Sequence, residues 1–399
     1  MKHLVIGNGI AGTTAAFTIR KFDKESELVI ISEEPYPFYR RTRLVDYLAD
    51  EASENNLIVF KDDWYEKHRI TLILNTRVIS IEPASKEVVV SGNQRIRYDK
   101  LLLATGGAPF IPVLEGADTE GVFTMRTLDD AKRIKEYAKD RGDIVILGGG
   151  VLGIEMGSAL RKAGKAVSIV ESFPRLLPRQ MDEEGAGILK DVLEDKGFRF
   201  HLNATAKKLL GDKAFEGLSL GGKRIVKGDM LVISTGSKAN AALIGEAGIK
   251  PGLGVPVNDK METEAPDIYA AGDLAEHRGR SYGLWQTAER QGEVAGINMA
   301  GGNAAYEGSL ASYMVRTPDL ELLSAGEIDA GGALEALVFK DREKGIYKKV
   351  VIENGYVTGC IFYGNTAGAK EILAAIRERK TLQEVRETIE SLHPSASDN

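Results

Sequence analysis

A chain of 399 residues that is 43% hydrophobic and 28% charged is too apolar to stay disordered and too charged for a membrane protein, so a soluble globular protein is expected. At ~100–200 residues per domain it holds two to four domains. The 52 Lys and Arg against 58 Asp and Glu leave a formal charge of -6, which gives no general attraction to phosphate backbones or anionic lipid and argues against nucleic acid as a partner. With one cysteine, Cys360, the chain builds no disulfide framework, four-cysteine zinc site or iron-sulfur cluster of its own, and no metal is expected. No apolar run approaches the ~18 residues of a membrane span. Met1-Lys2-His3 leads directly into Leu4-Val5-Ile6 without a signal-peptide core, so a cytoplasmic location is expected.

In chain order the sequence opens as strand, turn, helix and strand: HLVIG, GNGIAG, TTAAFTIRKF and ELVIIS. From Leu57 to Leu103 short strands follow (TLILN, RVISIE, EVVVSG, KLLLATG), and Asp129 to Lys139 has helical spacing. At DIVIL, GGGVLG, IEMGSALRKAG and AVSIVES the opening βαβ order recurs about 140 residues on. That separation means two dinucleotide-binding folds, because solenoid repeats have periods of ~20–50 residues. A helix is expected around Glu183 to Lys196 and strands near Phe198 and Leu231. From about Ser312 the pattern turns antiparallel, with Asn354-Gly355 as a hairpin turn in KKVVIENGYVTGCIFYG, then two helices and a disordered tail, HPSASDN. The fold class is α/β, with two Rossmann-like domains and a small α+β C-terminal domain. The expected boundaries are 1–112 and 237–311 for the two parts of the first domain, 113–236 for the second and 312–399 for the last.

In the first turn Gly7 permits the bend, Gly9 lets backbone approach a pyrophosphate and Gly12 lets helix and sheet pack closely. The N–H groups at the start of the helix, Ile10 and Ala11, then face the phosphates with a partial positive charge. Glu33, 21 residues after Gly12, is placed to accept from a ribose diol. Gly148, Gly150, Val151, Leu152 and Gly153 repeat the arrangement, with Glu171 18 residues beyond Gly153. A carboxylate there favours a free 2′-hydroxyl and repels a 2′-phosphate, so NAD is expected over NADP; Arg175, four residues on, softens that preference if it reaches the site. One chain with two such sites pairs a tightly held flavin dinucleotide with an exchangeable nicotinamide dinucleotide.

The ordered motifs YDKLLLATGG, DIVILGGGVLGIE, ISTGSKANAAL, IYAAGD and LWQTAERQGEVAG resemble the two-dinucleotide flavoprotein reductases of the pyridine nucleotide-disulfide oxidoreductase superfamily. Within it the chain is most similar to NADH:rubredoxin reductases, NADH oxidases and the flavin module of nitrite reductase. The resemblance implies FAD beside Asp273, Gly272, Ala104, Thr105, Gly106 and Arg41, with Trp285 and Ala288 near its ring system. It further implies Gly236 as cofactor-binding and Glu155 as the catalytic carboxylate beside the nicotinamide. Trp285 as plain core packing, and Arg40 and Arg43 as solvated cations, remain open alternatives.

The chain departs from the disulfide reductases, which carry redox cysteines early in the sequence. Here the segment is PFYRRTRLVDYL, with Thr42 and no sulfur, so thiol chemistry is excluded there. Where related ferredoxin reductases carry a lysine this chain has Asp46, so a lysine–Glu155 ion pair is not expected. Cys360 reads as a core hydrophobe, and the five histidines show no metal-ligand spacing. The expected activity is transfer of hydride from NADH to FAD and of single electrons onward to a rubredoxin-like protein or a metal-containing partner subunit. Two rivals are a hydrogen peroxide-forming NADH oxidase and a redox-dependent interaction protein. A homo- or hetero-oligomer is compatible with all three.

Overall fold

The computed structural model describes residues 1–116, 119–245, 248–317 and 319–392; the HPSASDN tail, His393 included, lies outside the described residues. The chain forms two compact units, one of residues 1–44, 52–110 and 237–309 and the other of 45–51, 111–236 and 310–399. Among the described residues no helix is long and apolar enough to cross a membrane.

The first unit is built on a parallel five-stranded sheet in the order Ile268–Ala270, Lys100–Leu103, Lys2–Ile6, Glu27–Ile31, Thr71–Ile73. Both faces are covered, so its strands are apolar at successive positions, as a doubly buried parallel sheet requires. Leu4, Ile6, Val29, Ile31, Leu101 and Leu103 face one layer, which includes an antiparallel sheet of Val78–Glu82, Glu87–Val90 and Gln94–Arg97. Val5, Leu28, Ile30 and Leu102 face the other, where the helices Ile10–Phe22 and Trp285–Met299 pack. Those helices approach closely because Gly292 and Gly296 have no side chains: a Cβ at either would lie 2.3 Å from the Ala11 or 2.6 Å from the Ala15 carbonyl oxygen.

In the second unit the parallel order is Arg199–His201, Ala166–Val170, Asp143–Leu147, Met230–Ile233, Val122–Thr124. The helix Leu128–Ala138 starts on a capping box, with the Asp130 N–H donating to Thr127 Oγ1 at 3.1 Å and the Thr127 N–H to Asp130 Oδ2 at 2.8 Å. Lys135 on that helix holds the segment 45–51, donating to the Tyr47 carbonyl (2.8 Å) and pairing with Asp50 (2.6 Å). The C-terminal part is an antiparallel sheet, Ser312–Arg316, Glu321–Gly326, Tyr356–Tyr363, Ile346–Glu353, Glu335–Asp341. Its central hairpin turns at Asn354 and Gly355 with φ of 53° and 81°, the left-handed pair a two-residue turn demands. The helix Ala369–Glu378 covers one face; the second expected helix is only Arg386–Glu390 after a single 3-10 turn.

Candidate dinucleotide sites

In each Gly-rich turn the three fingerprint glycines are not equivalent. Gly7 has φ 110°, and a Cβ there would sit 2.2 Å from the Ala104 carbonyl oxygen; a Cβ on Gly12 would sit 2.0 Å from that of Gly7. In the second turn Gly148 has φ 118° with Ser234 O at 2.2 Å, and Gly153 faces Gly148 O at 2.1 Å. These four are demanded by the protein itself. Gly9 and Gly150 are not, since a Cβ on either would meet nothing within 4 Å. Both are extended N-caps without a side-chain cap, on helices with no acidic residue in the first turn. The N–H groups at Ile10–Ala11 and Val151–Leu152 therefore open onto free space with an uncompensated partial positive charge, as a pyrophosphate requires.

The first site carries a second mark of fit that the fingerprint does not contain. Asn8, between Gly7 and Gly9, accepts through Oδ1 from Thr13 Oγ1 (3.1 Å) and Tyr65 Oη (3.2 Å), while its buried Nδ2 has no partner among the described residues. A buried amide without an acceptor is costly, and a bound oxygen-rich group would satisfy it. Sequence reading passed over Asn8 because the fingerprint leaves that position unspecified. Glu33 is exposed just beyond its strand, with Arg77 at 3.8 Å. Arg41 is engaged by its own neighbours, donating to Glu34 and to Tyr39 Oη (3.0 Å), whose hydroxyl in turn donates to Glu34 (2.6 Å).

Ala104, Thr105 and Gly106 follow the strand Lys100–Leu103 and are stitched to Asn240: Thr105 Oγ1 donates to its carbonyl at 3.2 Å, and Asn240 Nδ2 returns a bond to Thr105 O at 3.0 Å. Gly272, with φ 83°, donates its N–H to Gln291 Oε1 at 2.9 Å and presents Asp273 in the following turn. A Cβ on Gly272 would lie 3.1 Å from that of Ala11 and 3.6 Å from that of Ala288, so the Asp273 turn sits against the start of the first helix. Trp285 opens the helix Trp285–Met299 at one end of a file of rings. Phe38 is 6.0 Å from it, Phe60 5.5 Å from Phe38, and Trp64 is stacked on Phe60 at 4.0 Å. These rings line a groove of about 820 Å³ together with Arg40, Thr42 and Arg43.

In the second unit Glu171 is buried, unlike Glu33, and both its oxygens are engaged by backbone: Oε2 by the Gly149 N–H at 2.7 Å and Oε1 by the Phe173 N–H at 2.9 Å. Arg175 does not reach outward. Its Nε donates to Met181 O (3.1 Å) and its Nη2 to Pro178 O (3.0 Å), which disposes of the expected softening in this arrangement. Gly236, φ 109°, has an open Cβ direction. Glu155 is half-buried behind Gly153, and burial first, then the Asp46 carboxylate, push its carboxyl up to about 7. Asp46 thus adds to burial in holding the proton on Glu155. Cys360 is wholly buried, and burial pushes its thiol up to about 12, so no thiolate forms at neutral pH. Among the described residues no group of His, Cys, Asp and Glu is arranged to hold a metal ion.

Two strand–turn–helix cradles with open, uncapped N-termini define a protein of the class that holds two dinucleotides in one chain. The chain belongs to the pyridine nucleotide-disulphide oxidoreductase family, whose model matches residues 1–292; the rubredoxin NAD+ reductase C-terminal domain matches 314–380. It is 33% identical over 386 residues to nitrite reductase [NAD(P)H] of Bacillus subtilis, covering 96% of this chain but 48% of that protein. The chain thus spans about half the length of that relative. NADH-rubredoxin oxidoreductase of Clostridium acetobutylicum is 30% identical over 384 residues, 96% of each chain. Its crystal structure aligns with a TM-score of 0.81, covering 98% of this chain and 99% of that one at 28% identity. NADH oxidase of Methanocaldococcus jannaschii is 33% identical over 402 residues, 93% of this chain and 89% of that protein.

Proposed function

We propose that the chain is an FAD-dependent NADH:acceptor oxidoreductase that delivers single electrons to a small redox protein of the rubredoxin type or to a metal-containing partner subunit. FAD belongs to the first turn with Asn8, Glu33, Arg41, Thr105 and Asp273, and NADH to 113–236 with Gly148, Gly150, Gly153, Glu155, Glu171 and Gly236. When bound, the flavin takes hydride from reduced nicotinamide and releases electrons one at a time. The carrying observation is two open pyrophosphate cradles in a chain whose segment at Thr42 has no thiol and whose one cysteine is buried. With no disulfide relay available, electrons leave from the flavin.

Arg40 and Arg43, on the rim of the aromatic groove, are the steering charges for an acidic acceptor. Reduction of rubredoxin by NADH is expected to fall about tenfold as salt is raised, and to slow by a similar factor when both arginines become glutamine. Stopped-flow acceptor reduction under nitrogen tests this. If oxygen reoxidises the reduced protein as fast as the best protein acceptor, the oxidase reading replaces this one.

Glu155 is assigned to the nicotinamide end of the second site. Its carboxyl ionises as pH rises through about 7, and the oxidised ring is cationic while the reduced ring is neutral. The affinity for NAD+ relative to NADH is therefore expected to rise about fivefold from pH 6 to 8, the ~1 kcal/mol of one partly screened charge pair. In Glu155→Gln the ratio should be flat with pH. Equilibrium titration of both nucleotides decides it, and a flat wild-type ratio removes Glu155 from the site.

A further inference from the structure

The loop 171–182 joins the strand Ala166–Val170 to the helix Glu183–Asp195 and carries the carboxylate that faces the dinucleotide turn. It is fastened at both ends. At the near end both backbone polar groups of Gly149 are taken by the loop: its N–H by Glu171 and its carbonyl by the Leu177 N–H at 3.0 Å. Leu177 has φ 48°, a left-handed conformation that leucine adopts only where the surroundings hold it, and its side chain is fully buried. At the far end stands Asp182, next to Met181, whose carbonyl receives Arg175.

Asp182 does two things. Through Oδ1 it accepts the Gly185 N–H at 3.0 Å and caps the helix; through Oδ2 it accepts from Tyr347 Oη at 2.6 Å and Lys349 Nζ at 3.0 Å. Both donors come from the C-terminal strand Ile346–Glu353. Lys349 is 4% and Asp182 8% exposed, so the pair is sheltered from water and from salt. The Tyr347 ring lies on Gly185, where a Cβ would come within 2.7 Å of it. Lys349 also donates to the Asp329 carbonyl at 2.9 Å, so the ammonium is fixed from its own side as well.

We propose that the C-terminal domain is a specificity-determining part of the pyridine-nucleotide site, with Lys349 and Tyr347 as positioning residues that hold the Glu171 loop through Asp182. This rests on the reading of 113–236 as the NADH domain. While Asp182 is held, Met181 and Pro178 keep the Arg175 guanidinium inside the loop and Glu171 stays beside Gly149. Once Asp182 is released, the end of the loop shifts, Arg175 is freed toward a 2′-phosphate, and Glu171 loses its fixed place. Weakening the clamp should therefore move preference from NADH toward NADPH.

The test uses the full-length, FAD-loaded protein and two probes, 5′-AMP and adenosine 2′,5′-bisphosphate, with dissociation constants from titration calorimetry. The wild type is expected to bind 5′-AMP about tenfold more tightly. Tyr347→Phe, which keeps the ring and removes one hydrogen bond, should lower that ratio severalfold, and Lys349→Met should lower it further. Lys349→Arg should restore it. Lys340→Ala, which breaks a surface pair with Glu184 on the same helix, should leave the ratio as in wild type. A purely structural role would reduce thermal stability in Tyr347→Phe and leave the ratio untouched, and that outcome overturns the proposal. If the wild type binds neither probe, the nucleotide-site reading fails instead. Should Lys349→Met not fold, Tyr347→Phe alone decides.

Discussion

Gly9→Val is expected to give a folded but colourless protein, and Gly150→Val a yellow protein that NADH no longer reduces. The two substitutions are chemically identical, so the contrast isolates what each cradle holds. Neither disturbs the apoprotein greatly, because a Cβ on either residue meets nothing within 4 Å and both residues are already extended. The added side chain instead fills the space a pyrophosphate needs against the backbone, and removes the close approach that lets the helix N–H groups bind it. An at least hundredfold loss of affinity is expected in each case, ~2.7 kcal/mol or more. Flavin content after purification and anaerobic reduction by NADH measure the pair. Retention of FAD in Gly9→Val, with NADH reduction lost, would exchange the two assignments. By contrast Gly12→Val should fail to fold well, since its Cβ would lie 2.0 Å from a backbone oxygen that cannot move away.

The second large effect is expected in stability. Lys349→Met leaves the Asp182 carboxylate buried with its cation gone, and breaking such a pair by removing one partner costs about 3–5 kcal/mol. Methionine fills nearly the same volume, so the loss is electrostatic and not a cavity. At ~2–4 °C per kcal/mol this lowers the melting temperature of the unit by on the order of 10 °C in scanning calorimetry. Tyr347, whose phenol is pushed well up by burial and by its bond to Asp182, stays a donor to that carboxylate. A melting temperature unchanged in Lys349→Met would show that Asp182 finds another partner in the variant.

What could be read locally was read. A glycine at φ above 100°, a helix that begins without a cap and an Asn-Gly hairpin are each settled by residues a few positions apart, so Gly7, Gly9, Gly148, Gly150 and Asn354-Gly355 declared themselves in the chain. The parallel sheets declared themselves for a similar reason, since burial on both faces writes an unbroken apolar run into each strand. The charges were another matter. Glu171 and Glu33 look alike in sequence, yet one is buried with both oxygens on backbone N–H groups and the other is exposed. Arg175 reads as a free cation until the fold of its loop turns it onto two carbonyls. Lys349 stands in a Lys-Lys pair at the start of an apolar strand, and only packing of the C-terminal sheet brings it to Asp182, 167 residues away. The sequence by itself determined the folds, the two cradles and the absence of a thiol relay, because backbone geometry and composition are local properties. Which carboxylates stay open, which cation is hidden and why Glu155 holds its proton to about pH 7 were decided by tertiary structure, because the energy of a charge depends on the water and partners that distant segments leave around it.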